Sequence, residues 1–162
     1  MVGSTQAVVR PLDVQDPAVA AELLLPLQRR SYRVEAELIG SDAIPPLHES
    51  LAELMACGEQ FLGAFHGEVL VGAISYRIEG DTLDLHRLVV DPSAFRRGIG
   101  RELVRAVQEL ETAPTRVVVQ TGAANRPATT LYRHEGFAAL DVVEPIAGLA
   151  IARFEKRRAQ RG

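Results

Sequence analysis

The run Phe95-Arg96-Arg97-Gly98-Ile99-Gly100-Arg101 carries the most pointed chemistry in the sequence. Glycines at 98 and 100 let the chain bend tightly and remove side chains that would hold a phosphate away from backbone N–H groups. Arg96, Arg97 and Arg101 add charge-assisted donors suited to a pyrophosphate or a 3′-phosphate. The apolar run Leu88, Val89, Val90 precedes the loop and a helical pattern follows it, so a phosphate would meet a helix N-terminus. No G-K-[ST] follows, which excludes a P-loop, and the third glycine of a dinucleotide fingerprint is missing. The plain alternative is a tight turn with solvated arginines.

Further along, Tyr132 follows Asn125 by two helical turns and shares its face. Asp84 and His86 sit two apart in a strand-like run, so alternation puts them on one side. Neither pair resembles a metal site: the four histidines lack ligand spacing, and no G-x-S-x-G element marks a serine hydrolase. Cys57 has no companion cysteine, which rules out an intrachain disulfide, fits a reducing compartment and makes the thiol incidental.

The elements that would position these groups follow from periodicity. Residues 7–10 read as a short strand closed by Pro11, and Asp13 or Asp16 is placed to cap a helix beginning near Pro17. Helical-period apolar residues occupy 18–39, Gly40-Ser41 breaks them, and Ile44-Pro45-Pro46-Leu47 makes a stiff connector. A second helix is expected over 47–56. The period then changes to strand-like in FLGAF, VLVGAISYRI and LDLHRLVV, separated by turns at His66-Gly67 and at residues 79–81. After Gly100, Leu103, Val104, Val107 and Leu110 recur at helical spacing towards Pro114, and residues 117–120 form a β-branched strand. Asn125-Arg126-Pro127 looks like a helix start with Gly136 as its stop. Strands over 137–143 and 149–154 precede a polar tail, 155–162. This order predicts a mixed α/β domain spanning 1–162, with an antiparallel meander and a right-handed strand-helix-strand crossover.

On these residues the chain resembles the GNAT superfamily of N-acetyltransferases. The family's cofactor loop, Q/R-x-x-G-x-G/A, falls on residues 95–100, with Phe95 replacing the usual Gln or Arg. Its second block, N-x-x-A-x-x-L-Y-x-x-x-G-F, falls on 125–137. The resemblance covers about residues 60–143 and implies a mostly antiparallel sheet flanked by helices, with a splayed parallel strand pair forming the acyl-CoA cleft. It also implies acetyl-CoA as cosubstrate without a metal. The expected chemistry is direct transfer of an acetyl group to a primary amine of a small molecule or peptide. A non-catalytic acyl-CoA sensor is the alternative, and dimers are common in the family.

The resemblance also assigns roles. Leu88, Val89 and Val90 match positions whose backbone pairs with pantetheine and polarises the thioester carbonyl. Arg96, Arg97, Gly98, Ile99, Gly100 and Arg101 match the pyrophosphate loop. Asn125 is an N-cap that touches the cofactor arm, and Tyr132 is the acid for the departing thiolate. An alkylammonium, with a pKa of about 10.4, must lose a proton before it attacks. Asp84, His86 or a water relay is placed to take it. Where some members carry a glutamate at the end of the next strand this chain has Gln120, which argues against the group that acetylates ribosomal-protein N-termini. The first helices build the acceptor pocket in the family, so Tyr32, Glu35 and Glu37 are candidates for recognising a cationic amine.

Composition agrees with a small partner. The 162 residues are 47% hydrophobic and carry 18 basic against 21 acidic side chains, a formal charge of -3. That gives one sizeable core and no overall field for nucleic acid or an anionic membrane. The opening segment, MVGSTQAVVRPLD, has no cationic start with an apolar run, and no long apolar stretch occurs, which points to the cytoplasm.

Overall fold

A computed structural model describes residues 6–40, 45–110 and 112–159. One seven-stranded sheet runs in the order β1-β2-β3-β4-β5-β7-β6. Its strands are β1 (Val8–Leu12), β2 (Gln60–His66), β3 (Val69–Glu79), β4 (Thr82–Val90), β5 (Arg116–Gly122), β6 (Ala138–Ile146) and β7 (Leu149–Arg157). The predicted meander is β2-β3-β4, antiparallel throughout, and β4 and β5 are the parallel pair joined through a helix.

Among the described residues, four α-helices flank the sheet: α1 (Leu25–Ile39), α2 (Leu51–Met55), α3 (Ile99–Gln108) and α4 (Arg126–His134). Asp16 caps the first helical segment by accepting from the Ala18 N–H at 3.0 Å. That segment is not α-helical at its start, because Val19–Leu24 forms a π-helical stretch that runs into α1. Gly40 ends α1 in the left-handed region at φ 68, a conformation glycine adopts without a steric penalty. The expected break is therefore present at Gly40, while Ser41 and Ile44 lie outside the described residues.

The second helix departs from the expected span of 47–56. Pro45–His48 is a 3₁₀ turn, and α2 begins only after Ser50, whose hydroxyl accepts from the Glu53 N–H at 3.1 Å while the Glu53 carboxylate accepts from the Ser50 N–H at 3.0 Å. This reciprocal capping stabilises the helix start by about 1 kcal/mol and outweighs the apolar periodicity that suggested an earlier one. The polar tail also begins later than expected. Glu155, Lys156 and Arg157 complete β7, where the Glu155 carboxylate accepts from Arg116 Nε at 2.9 Å.

Two clusters of buried side chains lie on opposite faces of the sheet. On one, Leu103, Val104 and Val107 of α3 and Tyr132 of α4 pack with Ile74, Leu83, Leu85 and Phe154. On the other, Leu24, Leu25, Leu27 and Tyr32 pack with Leu54, Phe61, Ala73 and Val89. Gly72 and Gly122 let helices approach the sheet closely. A Cβ at Gly72 would lie 2.7 Å from Ile99 of α3, and one at Gly122 would lie 2.7 Å from Ile39 of α1.

The detail that positions the site is a bulge in β4. Tyr76 pairs with Leu85 and Ser75 with Arg87, leaving His86 as the extra residue. Leu83 and Leu85 face α3 before the bulge, and Leu88 and Val90 do so after it, whereas Arg87 and Val89 turn towards α1. Bulges bend a strand and increase its twist. The β4–β5 ladder runs from Thr82↔Arg116 only to Leu85↔Val119 and stops at the residue before the bulge. Beyond it the two strands part and a cleft opens between them.

Candidate active site

One side of the cleft offers backbone donors. Asp91 N–H bonds to the Val71 carbonyl at 2.8 Å, which makes Val89 the preceding β3-bonded residue and turns the N–H groups of Leu88 and Val90 away from β3, into the cleft. The Val90 N–H donates to Ser31 Oγ of α1 at 3.2 Å. After β4, the Asp91 carboxylate accepts from the Ser93 N–H and hydroxyl and pairs with Arg30 of α1 at 2.8 Å, fixing the chain's entry into the glycine loop.

Within the loop Arg96 has φ 67 and Gly98 φ 76, so two left-handed residues within three positions turn successive N–H groups inwards. A Cβ at Gly100 would lie 3.2 Å from Leu131 Cδ2, so this glycine lets α3 approach α4. A cavity of about 830 Å³ follows the loop, lined by Leu88, Val90, Phe95, Arg96, Gly98, Ile99, Gly100, Arg101 and Asn125. Every expected cofactor residue lines it except two. Val89 is buried on the α1 face and Arg97 is exposed outside the lining. Phe95, where the family carries Gln or Arg, lies 42% exposed on the lip.

Behind this groove lies a second cavity of about 280 Å³. Its walls are Tyr32, Glu35 and Ile39 of α1, His86, Arg87 and Leu88 of β4, Gln120, Thr121 and Gly122 of β5, Leu149 and Ile151 of β7, and Asn125, Ala128 and Tyr132. Tyr132 stands one turn beyond Ala128 on α4, its ring edge-on to Phe137 at 5.6 Å and near Phe154 at 5.8 Å. Burial, then the nearby Glu35 charge, pushes its hydroxyl well above the ordinary tyrosine range, so it is a protonated donor at any working pH. Burial raises Tyr32 as well.

Glu35 is raised by burial, opposed by a hydrogen bond from the Asn125 side chain. Asn125 also caps α4, its Oδ1 accepting from the Ala128 N–H at 3.3 Å. His86 Nε2 lies 3.2 Å from Asp84 Oδ2, and that hydrogen bond raises the imidazole above its ordinary value against the opposing effect of burial. The expected pair is thus present, but His86 alone lines the cavity and Asp84 stands behind it. Gln120 lies on the wall as an amide, and Glu37 is not part of the lining.

Sequence reasoning missed the charged network on the α1 face. Arg87, 8% exposed, donates from Nε to Glu59 at 2.8 Å and from Nη1 to Gln28 at 2.9 Å, and its Nη2 reaches Glu49 at 3.0 Å. Ser75 donates to Glu59 at 2.6 Å. Burial alone would raise the Glu59 carboxyl, yet hydrogen bonds from Arg87 and Ser75 hold it below the usual range. A signal for this existed in the sequence. Leu83 and Leu85 are odd-numbered and Leu88 and Val90 even-numbered, a change of phase that accords with the bulge between them, although the apolar Val89 masks it in the sequence.

A splayed parallel pair, a glycine loop at one end and a separate cavity behind it are the layout that the GNAT resemblance implies. The sequence model of the Acetyltransferase (GNAT) family matches residues 23–137, and the chain belongs to that family. It is 36% identical over 137 residues to UPF0157 protein YqkA of Bacillus subtilis, covering 85% of this chain and 40% of that protein, so it spans less than half of that relative's length. It is 31% identical over 127 residues to the N-alpha-acetyltransferase RimI of Mycobacterium tuberculosis, covering 75% of this chain and 79% of RimI. The PaiA N-acetyltransferase of Thermoplasma acidophilum, solved with coenzyme A, shares the fold at TM-score 0.68 and 21% identity, covering 93% and 98% of the two chains. No helix among the described residues is long and apolar enough to cross a membrane, and those residues hold no metal-binding cluster.

Proposed function

We propose that this chain transfers an acetyl group from acetyl-CoA directly to the primary amine of a small molecule or peptide. The observation that carries this reading is the meeting of two distinct cavities in one cleft, a groove with backbone donors and a polar cavity behind it, as a ternary complex requires. Leu88 presents its backbone N–H towards an extended acyl arm, beside a Val90 N–H held by Ser31 Oγ. The loop N–H groups, with Arg96 and Arg101, hold the pyrophosphate, and the left-handed turns and the Gly100 approach fit that task.

In the cavity behind, Tyr132 donates its hydroxyl proton to the departing sulfur. The Asp84 and His86 side chains, each about a third exposed, connect the cavity wall to solvent and form the route by which the released proton leaves. Thiol release from acetyl-CoA, followed across alanyl peptides, spermidine and kanamycin, tests the reading. Turnover with any of them supports it, whereas tight acetyl-CoA binding by calorimetry with no release on any acceptor points to a sensor.

A further inference from the structure

Direct transfer requires the acceptor nitrogen and the thioester carbon to meet where the two cavities are continuous. Four residues line both: Glu35, Leu88, Asn125 and Ala128. Among them only Glu35 can accept a proton. His86 and Arg87 lie in the rear cavity alone, and Arg87 is committed to Glu49 and Glu59. Arg96, Arg101, Arg105, His134 and Glu135 line the donor groove and not the rear cavity, and Glu135 is paired with Arg105 at 2.7 Å.

We propose that the Glu35 carboxylate binds the reacting ammonium and takes its proton, held in place by the Asn125 amide. This rests on the acyl-transfer reading and gives Asn125 a positioning role beside its cap. The ammonium loses one proton to Glu35, and the freed lone pair forms the bond to the acyl carbon. The carbon–sulfur bond breaks, and the sulfur leaves with the electron pair and takes the Tyr132 proton. The nitrogen, cationic once bonded to carbon, gives up its second proton to restore the Tyr132 hydroxyl. The products are amide, thiol and one proton on Glu35, which passes to solvent.

The surroundings suit the step. An anionic carboxylate attracts the ammonium, and its raised proton affinity narrows the gap to an amine of pKa about 10.4. Tyr32 on the same helix, His86 and Arg87 from β4 and Tyr132 from α4 are the titratable or charged groups that share its rear cavity, and those facing it from β5 and β7 are uncharged.

Steady-state kinetics of wild type, Glu35→Gln, Glu35→Asp and His86→Asn, using whichever of the three amine probes turns over fastest, test the proposal. Glu35→Gln should lower kcat about 100-fold with the acetyl-CoA KM within about three-fold, and should remove the acid limb of the kcat profile. Glu35→Asp should restore part of the rate, and His86→Asn should keep the acid limb. As a readout independent of turnover, ¹³C NMR of the glutamate carboxyls should show one resonance titrating above the ordinary range, absent in Glu35→Gln. Asn125→Ala removes a donor to the ionised form, so that resonance and the acid limb should both move to higher pH. A folded Glu35→Gln protein that keeps its kcat or its acid limb overturns the assignment, as does a Glu35 carboxyl titrating in the ordinary range. Should Glu35→Gln not fold, an Asn125→Ala profile identical to wild type does the same. Wild-type turnover with these negative results sinks Glu35 alone, whereas a wild type inert towards every amine sinks the transfer reading with it.

Discussion

The two halves of the cleft are made of different materials. The donor groove is apolar side chain with main-chain features set into it: N–H groups of β4, left-handed turns at Arg96 and Gly98, and a glycine where α3 meets α4. The rear cavity is mostly side chain, drawn from α1, β4, β5, α4 and β7 and backed by a buried arginine between two glutamates. On the proposed reading, backbone donors hold what is common to every acyl transfer from CoA, the cofactor arm, and side chains adapt to what differs, the acceptor. Substitutions on the two sides should therefore fail in different ways.

The largest effect is expected behind the rear cavity. Arg87→Met leaves Glu49 and Glu59 buried without their cation, a loss of about 3–5 kcal/mol, or a fall in Tm of roughly 6–20 °C by calorimetry. Neutralising both acids in the same protein, with Glu49→Gln and Glu59→Gln, should recover part of that stability, because the uncompensated charges are gone. A single Arg87→Met variant as stable as wild type would show that the network is solvated and not structural.

Next in size, Tyr132→Phe should lower kcat about 100-fold while the acetyl-CoA KM stays within about three-fold, since only a proton needed at sulfur departure is lost. Gly100→Val should do the reverse. Its side chain crowds Leu131 Cδ2 and Val90 at the loop end of the groove, so the acetyl-CoA KM should rise about ten-fold with kcat little changed. Steady-state kinetics read both. Equal losses of kcat and affinity in the two variants would erase the division between donor and acceptor sides.

The same division explains what could be read in advance. The donor groove also draws on α1 and α4, but its centre, a strand, a glycine loop and a helix within about twenty residues, and the start of α4 each carry their own local signal. Arg96 to Arg101, Asn125 and the meander were legible on that account, and only Val89 and Arg97 stand outside the lining. The rear cavity gathers residues as far apart as Tyr32 and Ile151, and no local pattern encodes their meeting. Glu35 was legible only through the resemblance, as a candidate with Tyr32 and Glu37 for recognising a cationic amine, and not as a proton acceptor. Glu49 and Glu59 carried no signal of their own, and what distinguishes them is that the bulge at His86 turns Arg87 inwards to meet them. The π-helical entry to α1 was equally invisible, because its apolar residues fit an α-helical period.

The smallest expected effect concerns the edge of the rear cavity, and its sign distinguishes a His86 that is charged in the folded protein from a merely packed one. His86 is raised above its ordinary value first by the Asp84 hydrogen bond, with the charges of Asp84 and Glu59 adding and burial and Arg77 opposing. A raised histidine stabilises the fold fully below its unfolded value of about 6.5, and that stabilisation is lost as pH climbs through the higher folded value. Asp84→Asn removes the first cause. The variant should be less stable than wild type by well under about 1 kcal/mol, since both side chains are about a third exposed and screened. Urea titrations at a series of pH values should show this gap widest below about 6.5 and closing on the alkaline side of the raised value. A gap constant across that range would mean that Asp84 holds His86 by packing or a neutral hydrogen bond, and one that widens with pH would mean that the imidazole is held neutral.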